Sequence, residues 1–164
     1  MRDWLVGGAV IQGPGGVLLV QNRRRDGRVD WSPPGGVIDE GESLVDGLTR
    51  EVVEETGLVV SAWSEQPLYR IEAEAVDLDW RLTVEVHLAL DVSGALVVDD
   101  PDGIVVDARW VPAEHCRDHL SSSPLWVRDP LHTWLDAPWE GSTRGFRYRI
   151  VGRDLSSLQV ESLP

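Results

Sequence analysis

Between Trp80 and Asp91 apolar side chains fall on every second position, Leu82, Val84, Val86, Leu88 and Leu90, with Arg81, Thr83, Glu85 and His87 in the gaps. A period of two over that length predicts a strand with one buried face. Residues 4–11 and 17–21 read as two further strands, joined as a hairpin through Gly13-Pro14-Gly15-Gly16, where proline sets φ and glycine permits positive φ. Residues 22–31 are rich in arginine, and the following Ser32-Pro33-Pro34-Gly35-Gly36 is expected to be an irregular loop, because prolines and glycines do not continue a central strand or a helix. From Ser43 the period changes to that of a helix. Leu44, Val45, Leu48 and Val52 form its apolar stripe, Ser43 with Asp46 makes a start resembling a capping box, and Gly57 is a left-handed stop, which predicts a helix over 43–56.

Beyond it, residues 59–61 and 68–74 look extended, 99–103 a loop, and 104–111 a short strand. Pro112 opens a helix to about Leu120, and a second helical stretch over 125–135 is interrupted by Pro130. Strands and helices alternate along 164 residues, which predicts one mixed α/β domain over 1–136. Residues 137–164 form a C-terminal extension in which 146–151 alternates like an edge strand, for packing on the domain or on a second subunit of a homodimer.

Composition narrows the function. The net charge of −13 repels phosphate backbones and anionic lipid, so neither a nucleic acid nor a membrane is expected as partner. Glycines and prolines break the apolar run over 4–20, which therefore serves neither as a spanning helix nor as a signal-peptide core. Cys116 is the lone cysteine, so no internal disulfide forms and a cytoplasmic location is expected. All 15 basic side chains are arginines, which excludes lysine Schiff-base and P-loop lysine chemistry.

The candidate chemistry lies on the first helix. Glu51, Glu54 and Glu55 stand at i, i+3 and i+4, within an arc of roughly 100°. Two like charges about 4 Å apart repel by about 4 kcal/mol at an effective dielectric of 20, so a cation should sit among them. Arg50 can answer part of that charge through Glu54, but one guanidinium does not satisfy three carboxylates. Oxygen ligands grouped in this way suit magnesium or manganese rather than zinc. On spacing alone, a solvated acidic helix face would look the same.

The surrounding residues decide between them. Gly36, five residues, Glu42, seven residues, then Arg50-Glu51-Val52-Val53-Glu54-Glu55-Thr56-Gly57-Leu58 matches every specified position of the Nudix box, Gx5Ex7REUxEExGU with U apolar. The chain thus resembles the Nudix hydrolases, and the resemblance covers about residues 3 to 121. It implies an α/β/α sandwich with a mixed sheet and a metal-dependent pyrophosphohydrolase. Such an enzyme cleaves a nucleoside diphosphate linked to another moiety, or a nucleoside triphosphate, with Mg2+ (or Mn2+) as cofactor and a small nucleotide as partner. By motif position, Glu51, Glu54 and Glu55 are the implied metal ligands, with a Gly35 backbone carbonyl beside them, while Arg50 and Glu42 form a pair holding loop against helix. Which carboxylate acts as general base is left open. The alternative is a nucleotide-sensing Nudix-like module that binds without cleaving; such a module would be expected to lose box glutamates, and all are kept here.

Outside the box, Glu85 lies on the polar face of its strand and is a candidate extra ligand or base, set against a plain solvated residue. Arg23, Arg24, Arg25 and Arg28 form the only dense basic run and are candidate phosphate clamps, set against a solvated hairpin tip. Of eight tryptophans, Trp31 and Trp80 are the candidates to stack on a base, although core packing is the commoner use of such residues. Pro67 and Tyr69 lie nearer the box than the family patterns for ADP-ribose or dinucleoside polyphosphate hydrolases would place them, so neither subclass is supported.

Overall fold

The structure is a computed structural model describing residues 1–164. The chain runs β1 (Arg2–Val10), β2 (Gln12–Gly13), β3 (Gly16–Arg23), β4 (Val29–Ser32), β5 (Gly35–Val37), α1 (Leu44–Thr56), β6 (Val59–Trp63) and β7 (Tyr69–Ala75). It continues through β8 (Trp80–Ser93), β9 (Val105–Val111), α2 (Ala113–His119), α3 (Leu125–Asp136), β10 (Arg144–Val151) and β11 (Gln159–Leu163). One sheet has the order β11-β10-β7-β8-β1-β5, with β6 also paired to β8; the other joins β2, β3, β4 and β9. Parallel pairs (β1 with β8, β10 with β7) lie beside antiparallel ones, so the larger sheet is mixed.

Alternation within β1 explains the layering. Val10 belongs to the core that includes Cys116 of α2 and Leu131 and Trp134 of α3, whereas Ala9 packs with Leu48 and Val52 of α1. Successive side chains of a strand point to opposite faces, and β1 is covered by α2 and α3 on one face and by α1 on the other. The result is the expected α/β/α arrangement.

Three local expectations are corrected, and the arginine-rich stretch, left open above, takes a defined form. The hairpin is only a tip: Gln12–Gly13 pairs with β3 around Pro14 and Gly15, while β1 itself leaves for the other sheet, between β8 and β5. The glycine-rich stretch is not wholly irregular, since Gly35–Val37 forms a short strand; it lies at the sheet edge, where the missing side chains cost least. The arginine-rich stretch turns over residues 24–28 into β4, which pairs back on β3. Helix α3 runs through Pro130 to Asp136 without a break.

Residues 144–163 complete the larger sheet rather than standing apart, β10 pairing with β7 and β11 forming the far edge. No helix is long and apolar enough to cross a membrane.

Candidate active site

Helix α1 begins where expected and for the expected reason: the Ser43 hydroxyl accepts the Asp46 amide at 3.1 Å, and Gly57 closes the helix at φ 76°. Its buried stripe is rotated from the predicted one. Val45 is 38% exposed, whereas Gly47, Leu48, Val52, Glu55 and Thr56 are buried. Rotation of the stripe carries Glu55 under the helix, where only 6% of it meets solvent.

Glycines let the helix and β5 approach. A Cβ on Gly36 would lie 2.5 Å from the Glu51 carboxyl carbon, and one on Gly35, at φ 155°, would lie 2.0 Å from the Gly7 carbonyl oxygen. Only backbone fits between β1 and α1 at this point.

Arg50 organises the acidic side of the helix. Its Nε and Nη2 donate to the two oxygens of Glu42 at 2.9 and 2.8 Å, and its Nη1 donates to Glu51 at 3.0 Å and Glu54 at 3.2 Å. Glu42 also accepts the Asp39 amide at 2.9 Å, which ties the loop ahead of the helix to the same pair. The Arg50 and Asp39 donors together hold the Glu42 carboxyl down to about 2, and the bound carboxylates raise Arg50.

Glu55 is treated differently. Burial, followed by the charge of Glu51, pushes its carboxyl up to about 9 against the opposing effect of the Gly35 amide, and its Oε2 is buried with no hydrogen-bond partner. Burial also raises Glu51, opposed by Arg50. Asp100 and Asp102, from the loop between β8 and β9, add negative charge at Glu55 and Glu51 respectively. That loop is tied to the end of α1 by the Val97 amide, which donates to the Thr56 carbonyl at 2.9 Å.

With Glu51 and Glu54 turned toward Arg50, no three His, Cys, Asp or Glu side chains converge on one point. The residues nevertheless fit a hard divalent cation: the donors are all oxygen, and the unpartnered Glu55 Oε2 is a buried acceptor in need of a positive charge. Glu51, Glu54, Glu55 and the Gly35 carbonyl are the groups that would hold it.

Gly35 also lines a cavity of about 1030 Å³ on the sheet face opposite α1. Its floor includes Ile71 and Val84, the turn between β3 and β4 supplies Arg24, Arg25 and Arg28, and Trp126 closes it from α3. Arg24 is held by Asp30 and Arg28 by Asp26, leaving Arg25 without an ion pair. Arg23, the remaining candidate clamp, ends β3 and does not line the cavity.

Glu85 lies on β8, separated from β5 by β1. It faces Arg70 at 3.5 Å and His87 at 3.7 Å. In register it is aligned with Gly7 and Gly36, and Leu48 and Ile38 pack over Gly7. Trp31 meets the His119 ring edge-on at 5.2 Å and, like Trp80, packs against the core, so neither tryptophan lines the cavity.

Several lining residues escaped the sequence reading. Asn22, buried, donates to Asp30 at 3.2 Å and Ser32 at 2.9 Å on the cavity wall, and Trp126 lay in what was read only as a helix. The pairing of Asn22 with residues 8 and 10 positions later follows from the β3–β4 hairpin, which the sequence offered only as a solvated tip for the arginines.

A loop, a short strand and a helix bearing three glutamates and a carboxylate-bound arginine, set against a mixed sheet, define a class, and the comparisons agree. Residues 1–129 match the family model for the NUDIX domain, and the chain belongs to the Nudix hydrolase family. Among its relatives, the 8-oxo-dGDP phosphatase NUDT18 of Mus musculus is 32% identical over 117 residues, covering 71% of this chain and 32% of that protein. The Homo sapiens protein of the same name is 33% identical over 117 residues, with the same coverage. The chain thus spans about a third of the length of these curated relatives. The solution structure of the E. coli ORF135 protein superposes with a TM-score of 0.67 at 19% identity, covering 87% of this chain and 96% of that one. A MutT NUDIX hydrolase from Burkholderia pseudomallei gives 0.61 at 24% identity, covering 70% of this chain and 86% of its own. These likenesses show a shared fold.

Proposed function

We propose that this chain is a divalent-cation-dependent pyrophosphohydrolase acting on a nucleoside triphosphate, or on a nucleoside diphosphate alone or linked to another moiety, by water attack on phosphorus. The observation that carries the reading is the buried, unpartnered Glu55 oxygen beside Glu51 and Glu54, next to the glycine that borders the large cavity. Relatives named 8-oxo-dGDP phosphatase support a purine nucleotide, oxidised ones included, as the substrate class.

Mg2+, with Mn2+ as a substitute, is the cofactor this donor set suits; when bound it would offset the polyphosphate charge, polarise a phosphoryl oxygen and acidify water. The chain's own residues do the rest. Arg25, which has no ion pair, and Arg28, which would have to share its guanidinium with Asp26, offer donors to phosphate oxygens in the cavity they line. Arg50 and Glu42 keep the loop on the helix, so that Gly35 and the glutamates hold their spacing. A carboxylate oxygen of the cluster accepts the proton of the attacking water. The acidic surface disfavours polynucleotide and membrane partners, and the free, buried Cys116 accords with a cytoplasmic setting.

A panel of nucleoside di- and triphosphates and nucleotide sugars, incubated with Mg2+ and followed by phosphorus NMR, tests the reading. Cleavage that requires the cation and is lost in Glu55→Gln is expected. Tight binding of nucleotides with no product would replace the enzyme by a sensing module.

A further inference from the structure

Leu155 is the most exposed large apolar side chain in the molecule, at 69%, yet it is not on a loose loop. It sits in the turn between β10 and β11, where Asp154 Oδ1 accepts both the Ser156 amide at 3.0 Å and the Ser156 hydroxyl at 2.7 Å, and the Ser157 amide donates to the Asp154 carbonyl at 3.0 Å. At the base of the turn the Gly152 amide donates to Asp77 at 3.0 Å, while Leu158 and Val160 pack on the main core. An ordered turn therefore holds a leucine out of the core and against the rim of the large cavity, which it lines.

The Gly152–Asp77 bond puts the base of the turn beside the start of β8, where Trp80 pairs with Ala75, and the register of β1 gives the length of the cavity floor from there. Gly8 pairs with Gly35 and with Val86, whereas Leu82, another lining residue, pairs with Trp4. Four residues of strand separate the two ends of this floor, about 13 Å. The carboxylate site adjoins the Gly35 end.

We propose that Leu155 is a specificity-determining residue, forming with Leu82 and Trp126 the apolar end wall of the cavity against which the base of a nucleotide packs. This rests on the reading of the cavity as the substrate site. Leu155 lies outside residues 1–129, so this part of the wall is supplied by the segment beyond the family match, whereas Leu82 and Trp126 lie within it. A flat heteroaromatic ring gains from such a wall, and the polyphosphate, held at the Gly35 end, does not reach it.

The test compares Leu155→Ser and Leu155→Ala with the wild type in the full chain with Mg2+, using GTP and ATP for turnover and for binding by titration calorimetry. Inorganic tripolyphosphate is the probe too short to reach the wall. Neither substitution touches the core, so Tm should be unchanged. KM and Kd for the nucleotides should rise about ten-fold with kcat little changed, and tripolyphosphate binding should stay the same. Unchanged KM and Kd, or equal weakening of nucleotide and tripolyphosphate, would overturn the role of Leu155 while hydrolysis stands. If the wild type binds nucleotides without cleaving them, the hydrolase reading fails and the Kd comparison alone decides the wall. Neither binding nor cleavage would overturn both.

Discussion

Arg50 grips Glu42 through two parallel hydrogen bonds of 2.9 and 2.8 Å, and the same guanidinium spans Glu51 and Glu54. One side chain thereby fastens the loop before α1 to the helix and screens two of three neighbouring carboxylates. Replacing it with Ala leaves those carboxylates facing one another. Arg50→Ala should lower stability by about 2 kcal/mol, the scale of charge-assisted hydrogen bonds lost from a half-buried group. Urea unfolding measures it; a midpoint equal to that of the wild type would show that the network holds nothing together.

Glu55→Gln should separate folding from cation binding. The carboxyl is raised by burial, so an amide of the same shape removes an ionisation cost and the cation-free variant should melt no lower than the wild type. A ligand that binds only the folded state stabilises it by about 2.7 kcal/mol at a hundred-fold excess over Kd. Thermal melts with and without MgCl2 should show that gain in the wild type and little of it in Glu55→Gln. EDTA should reverse it. An equal magnesium shift in both proteins would place the cation elsewhere.

The two box-entry glycines should behave differently. On Gly35 a Cβ meets backbone, the Gly7 carbonyl, which cannot give way without separating β5 from β1. Gly35→Ala is expected to cost about 3 kcal/mol, or roughly 6–12 °C in Tm. On Gly36 the obstacle is the mobile end of Glu51, so Gly36→Ala should unfold at nearly the wild-type temperature while turnover falls, because Glu51 is displaced. Calorimetry beside a turnover assay distinguishes them; equal destabilisation by both would contradict the close backbone approach.

Acid should release the Glu42 clamp. Its carboxyl is lowered from 4.5 to about 2 in the folded protein, so its contribution to stability is complete above pH 4.5 and is lost as pH falls toward 2. Glu42→Gln should therefore be less stable than the wild type at pH 7 and lose less on acidification over that window. Parallel pH profiles for the two proteins would remove Glu42 from the acid response.

The helix, its caps and the spacing of its acids were legible because each is written within one or two turns. Ser43 needs only the Asp46 amide, and Gly57 needs only its own permissive φ. The alternation of β8 was legible for the same reason, although Leu90, on the predicted buried face, is exposed near the strand end. The pairing of Arg50 with Glu42, eight residues apart, followed from motif position and is present in the structure. Strand β5 was not legible, because two glycines read as a break unless it is known that they lie at an edge facing β1.

The sequence by itself determined where α1 starts and stops and which acids share its surface, since hydrogen bonding and side-chain direction along one helix depend on near neighbours alone. Only the tertiary structure decided that Glu55 is buried, that Leu48 packs over Gly7, and that Gly35, Arg25, Trp126 and Leu155 border one cavity. Burial and enclosure depend on which elements pack together, and no local stretch of chain carries that information.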